Sequence, residues 1–179
     1  MYRILFLLLI STVSFAQTLG PALFQIRNKF ENANKSEADC NTMLGSVRGN
    51  TLEKNPLYYG YLGATETIHA QFSYNPYTKL SRFNSGKEKL EAAIAKQPQS
   101  MELRYLRFTV QSGAPSFLGY NTQLAGDKKF LLDGLKNLSV TDYDLYKRIS
   151  GYLKQSVQLT AAEKQQLTAI INSSAQPGK

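Results

Sequence analysis

A chain of 179 residues, 42% hydrophobic and 19% charged, is long enough for one domain with a buried core and too apolar to remain disordered. Its formal net charge of +8 is dispersed through the chain, which suits solubility and anionic partners but is not the basic block of a nucleic-acid tail. One cysteine excludes an internal disulfide and a cysteine-rich zinc site, and one histidine excludes HExxH zinc chemistry and the paired Glu-x-x-His di-iron site.

The chain begins "MYRILFLLLISTVSFAQ". Arg3 precedes an apolar run from Ile4 to Ile10, and small Ser14 and Ala16 follow where a signal peptidase reads. Residues 1–16 are therefore expected to be a cleaved signal peptide, with Ala16 and Gln17 flanking the cut. The run is far short of the roughly 20 residues that span a bilayer. The expected location is periplasmic or secreted, without stable membrane insertion after cleavage. No cysteine follows the run, so a lipid-anchored form is not expected. Residues 17–174 read as a single helical domain and 175–179 as a frayed tail.

The mature chain reads as successive helices. Pro21 suits a first turn, and Leu23, Ile26, Phe30 and Ala33 form one stripe. Ser36, with Asp39 three residues on, begins a helix whose apolar face is Ala38, Cys40, Met43, Leu44 and Val47, and Gly49–Asn50 ends it. Asn55 and Pro56 open the next helix, in which Leu57, Tyr61, Ala64, Ile68 and Phe72 repeat near 3.6. Gly60 and Gly63 inside it point to close approach by a neighbour.

Asn75–Pro76 breaks and restarts the chain. Leu80, Phe83, Leu90 and Ile94 then share a face beside Gly86 and Ala93. Ser100 caps a helix with two apolar stripes: Leu103, Leu106 and Val110 on one side, Tyr105 and Phe108 on the other. A narrow polar strip of Arg104, Arg107 and Gln111 separates them. Apolar residues on two sides imply a middle position between neighbours. Gly113 is expected as a left-handed C-cap before Pro115. Asp127 opens or supports the next helix. Thr141 is the expected N-cap of the one after, with Val140 and Leu145 at staple spacing. A Thr160–Glu163 capping box opens the last helix, which carries Leu167, Ile170 and Ile171.

Little in the sequence carries chemistry. "ETIH" places Glu66 three residues before His69, but a second histidine does not exist, so the pair reads as structural. No GxSxG elbow is present, and "NSGKEK" lacks the phosphate-loop pattern and a preceding strand. No catalytic residue, cofactor or metal ligand is assigned. Cys40 is read as a small buried apolar residue. Basic and aromatic residues interleave between Lys79 and Arg107, as in some nucleic-acid binders, but export makes nucleic acid an unexpected partner.

In "GKEKLEAAIAKQPQS", Gly86, Leu90, Ala93 and Pro98 stand at the spacing of the second helix of a tetratricopeptide repeat, which this stretch resembles. The preceding window lacks the repeat's first-helix residues, and no second copy follows at 34 residues. Through "NPYTKLSRFNSGKEKLEAAI", "ELRYLRFTVQSGAPSFLGY" and "DKKFL" the mature chain also resembles small exported proteins of the Bacteroidota. That resemblance implies a tetratricopeptide-like helical fold and a cell-envelope location, and it brings no activity.

The expectation is an all-α domain of seven or eight helices, in antiparallel hairpins stacked as a degenerate tetratricopeptide-like solenoid or bundle. The expected function is a monomeric or weakly associating interaction or scaffolding module that binds a protein or peptide of the envelope. Arg104, Arg107 and Tyr120 are the candidate interaction surface. The alternatives are an envelope enzyme, marked by a cleft joining His69 to a serine or carboxylates, and a carrier of lipid or small molecules, marked by an apolar cavity lined by Tyr and Phe.

Overall fold

The computed structural model describes residues 21–174, so the signal-peptide reading of residues 1–16, the terminus at Gln17 and the tail at 175–179 lie outside it. The described residues form eight α-helices and no strands: α1 Pro21–Asn32, α2 Glu37–Val47, α3 Pro56–His69, α4 Pro76–Lys96, α5 Met101–Gly113, α6 Leu124–Thr141, α7 Tyr143–Gln155 and α8 Ala161–Ser174. The architecture is all-α. Short 3-10 turns at Ala70–Phe72 and Ser116–Leu118 follow α3 and α5.

Local chemistry sets most of the boundaries. Ser36, Asn55 and Ser100 each accept a hydrogen bond from the backbone N–H three residues on. Asn75 accepts from Tyr77 and Thr78, and Pro76 takes the first helical position. The capping box of α8 forms in both directions, with the Thr160 N–H donating to Glu163 at 2.7 Å and the Glu163 N–H donating to Thr160 at 3.3 Å. Gly49, at φ 86°, takes the left-handed position beyond α2.

Two boundary expectations are corrected. Gly113 is not left-handed. α5 ends at Gly113 and is capped by Ala114, whose ψ of 135° is the extended conformation favoured before Pro115. The left-handed glycine of this region is Gly119, at φ 61°. Thr141 is the last residue of α6, and its hydroxyl donates to the Asn137 carbonyl. Asp142 caps α7 in its place, accepting from the Leu145 N–H at 3.0 Å. Val140 is exposed, so the staple does not form.

Each helix packs on the next in the chain, and α3 and α6 also reach α5 and α8. α3 and α4 make the closest pair. A Cβ on Gly60 would meet Ala93, one on Gly63 would meet Leu90, and one on Gly86 would meet Thr67. The partner numbers fall as the α3 numbers rise, so the two helices are antiparallel.

The core divides at α5, as its two stripes predict. Leu103, Leu106 and Val110 join Phe30, Tyr61, Phe83 and Leu90 in one apolar cluster. Tyr105 and Phe108 join Leu131, Leu135, Ile149 and Leu153 in the other. Cys40 is fully buried, and burial pushes its thiol up to about 11, further helped by Glu37.

Candidate functional site

The polar strip of α5 turns inward. Arg107 is only 4% exposed and clamps Asp127 with two hydrogen bonds of 2.6 and 2.8 Å, while a third nitrogen donates to Glu91 at 2.6 Å. Arg104 donates to the same Asp127 at 2.9 Å and to the Pro98 carbonyl. Tyr120 is buried and donates to Glu91 at 2.5 Å. The structure therefore brings Arg104, Arg107 and Tyr120 together, but around Asp127, which is fully buried, and Glu91. Burial lowers the affinity of the Arg107 guanidinium for its proton, and the Asp127 carboxylate more than restores it. This network joins α4, α5 and α6.

A second buried network centres on Arg27 of α1, which is 2% exposed. It chelates Glu102 of α5 through two hydrogen bonds of 2.7 Å, and reaches Asp142 at 2.7 Å and Asp144 at 2.9 Å. Tyr61 of α3 donates to the same Glu102 at 2.5 Å. Arg148 of α7 reaches back to Glu31 at 2.7 Å and to the Asn28 side chain at 2.6 Å. The C-terminal part of α1 is thus tied to α7 across more than a hundred residues of chain.

His69 and Glu66 do not pair. Glu66 is held by Lys89 at 2.6 Å, and the His69 Nε2 lies 3.6 Å from Glu37. Among the described residues no three His, Cys, Asp or Glu side chains converge to hold an ion.

The concave feature lies elsewhere. A pocket of about 770 Å³ opens where the C-terminal ends of α1, α3, α5 and α7 meet the start of α4 and the turn after α5. Phe30, Ile68, Phe83, Tyr105, Val110 and Tyr152 form its inner wall, and Leu80, Phe117 and Leu118 stand toward its mouth. It lies on the seam between the two apolar clusters, because Phe30, Phe83 and Val110 belong to one and Tyr105 to the other. Tyr105 and Tyr152 meet edge to face, ring centroids 5.7 Å apart. Burial raises both phenols, so this wall carries no charge near neutral pH.

The charged side chains of the lining are Glu31, paired with Arg148, and Lys79. The hydroxyls of Thr67 and Thr109 donate to the Ala64 and Leu106 carbonyls of their own helices, at 2.7 and 2.8 Å. The pocket can therefore accommodate an apolar group that asks for few hydrogen bonds.

In the sequence Phe30, Phe83, Tyr105 and Val110 belong to packing stripes, whereas Phe117 and Tyr152 belong to none of them. One signal was available for Phe117, an aromatic residue in a turn bounded by Pro115 and Gly119, where no core can cover it.

The described residues thus form an all-helical fold with a lateral, mostly apolar pocket. No family model, curated protein or solved structure matches the chain.

Proposed function

We propose that this chain is an exported binding module without catalytic chemistry, and that its working site is the aromatic pocket between α1, α3, α4, α5 and α7. The observation that carries this reading is the pocket itself. At about 770 Å³ it falls in the roughly 300–1,000 Å³ range of small-molecule sites, and its wall is mostly apolar. An apolar cavity lined by Tyr and Phe is the mark of a carrier of lipid or apolar small molecules. The leader-like segment from Arg3 to Ala16 supports export. The stacking is best described as a degenerate tetratricopeptide-like array, a description supported by the contact of α3 with both α4 and α5 and by the Gly86, Leu90, Ala93 and Pro98 spacing.

A second occupant, an apolar side chain of an envelope protein or peptide, is favoured by the amides of Asn34 and Gln71 in the lining, which suit a peptide backbone. Calorimetry with a long-chain fatty acid and with apolar peptides separates the two. The carrier reading expects saturable fatty-acid binding that is lost in Thr109→Phe, a variant that fills the pocket from the middle of α5. Equal binding by the filled variant, with its fold retained by circular dichroism, would remove the pocket from consideration.

A further inference from the structure

We propose that the mouth of the pocket docks on an anionic lipid surface, from which a phospholipid acyl chain enters between α4 and α5. This rests on the carrier reading above and adds where the ligand comes from. The first observation is the exposure of the mouth. Phe117 lines the pocket yet is 84% exposed, and Leu80 lines it at 48%. Tyr77 (85%) and Tyr74 flank Pro76, which is itself part of the wall. Single exposed apolar residues need no explanation, but a cluster contributed by two separate segments around one opening marks an interaction surface.

The kinds of residue at the mouth favour lipid. Phe117 and Leu80, which line the opening, are suited to the acyl region, and the exposed Tyr74 and Tyr77, near the wall residue Pro76 in the chain, carry amphipathic rings suited to headgroup depth. No described helix is long and apolar enough to cross a membrane, so the contact would be a surface one.

The second observation is charge. Glu31 is engaged by Arg148, whereas Lys79 is exposed and has no carboxylate partner among the described residues. Lys79 is thus the cation of the pocket lining. With Arg3 removed alongside the leader the chain keeps 20 basic against 13 acidic residues, a formal +7, and Lys79 gives the mouth a charge that complements phosphatidylglycerol or another acidic headgroup. The third observation is the interior. Phe30, Ile68, Phe83 and Val110 are apolar, and Thr67 and Thr109 already donate within their own helices, so this part of the inner wall suits an acyl chain.

The chain contains no tryptophan, so Phe117→Trp installs a unique reporter. The test mixes the purified protein with vesicles of phosphatidylcholine alone or blended with phosphatidylglycerol. Flotation and the emission maximum of the Phe117→Trp variant are the readouts.

The expected result is flotation with the blended vesicles that weakens with salt, together with a blue shift of the reporter. Phe117→Ser should reduce vesicle affinity roughly tenfold or more, and Lys79→Ala about fivefold. The pocket-filling Thr109→Phe should still float but should extract no lipid. Vesicle binding that is indifferent to Phe117→Ser overturns the proposal. So does fatty-acid binding in solution without any flotation, an outcome that leaves the pocket reading standing. Absence of both removes the two together. Protection of the mouth by apolar peptides and not by vesicles overturns the lipid surface in favour of a peptide partner.

Discussion

Gly63 and Gly86 bring α3 and α4 together backbone to backbone. A Cβ built on Gly63 would stand 2.6 Å from the Gly86 carbonyl oxygen, and one built on Gly86 would stand 2.7 Å from the Thr67 nitrogen. The obstructing atoms are main chain, so neither helix can yield by a rotamer change. This contact fixes α4, whose first turns carry Pro76, Lys79, Leu80 and Phe83 into the pocket wall.

Gly63→Ala and Gly86→Ala should therefore each destabilise the fold by about 1–3 kcal/mol or more, the usual range for overpacking. Gly151→Ala is the control. It lies inside α7 with nothing within 4 Å of the new methyl, and should gain roughly 0.5–1 kcal/mol from helix propensity. Urea denaturation midpoints measure all three, and a stable Gly86→Ala protein would contradict the described helix approach.

Arg27→Met should lose about 3–5 kcal/mol, because it leaves Glu102 buried beside the Tyr61 hydroxyl with its cation removed. The Arg27 network also predicts acid sensitivity. Partial burial tends to raise the Asp144 carboxyl, but hydrogen bonds from Arg148 and Arg27 hold it below the ordinary aspartate value. A depressed native carboxylate stabilises the fold above its unfolded value near 3.9, and that contribution is lost as pH falls through the lower, native one. Thermal melts below about pH 4 should therefore fall, and Asp144→Asn should flatten that fall while lowering stability at neutral pH. An unchanged acid limb in Asp144→Asn would remove this carboxylate as a cause.

Substitution of Arg107 tests the inward-facing strip. Arg107→Met leaves the fully buried Asp127 with only Arg104 as a cation and should cost several kcal/mol, within the roughly 3–5 kcal/mol range of a broken buried pair. Arg104→Ala should cost less, since Arg107 keeps its two hydrogen bonds to Asp127. Melting temperatures that rank the two variants in the opposite order would contradict the geometry.

Cys40 should resist an aromatic disulfide reagent in the native protein and react at once in denaturant. The side chain is fully buried, and the thiol is held protonated by burial, with a value near 11. Fast native reaction would mean that α2 opens readily from α3.

The helices were legible in the sequence because their signals are local. Ser36, Asn55, Asn75 and Ser100 cap where their side chains reach a backbone N–H two or three residues away. Thr141 was a near miss for the same reason. A second acceptor stood one residue further on at Asp142, and in such a pair position alone does not say which side chain caps. The middle place of α5 was legible too, because two stripes on one helix need two neighbours. For the candidate site, the stripe residues Phe30, Phe83 and Val110 were visible as apolar, but not as the wall of an opening.

The all-helical class, the order of the helices, the glycine-lined approach of α4 and the two-sided burial of α5 can all be read from the residues alone. These follow from backbone chemistry and from a 3.6-residue period, which act over a few turns. That Arg107 and Arg27 turn inward onto Asp127 and Glu102, and that Phe30, Phe83, Tyr105 and Tyr152 surround an opening, emerges once the helices are assembled. A helical period says which face is apolar. Whether that face is filled, paired or left open depends on side chains that arrive from helices far along the chain, and that depends on how the helices are placed.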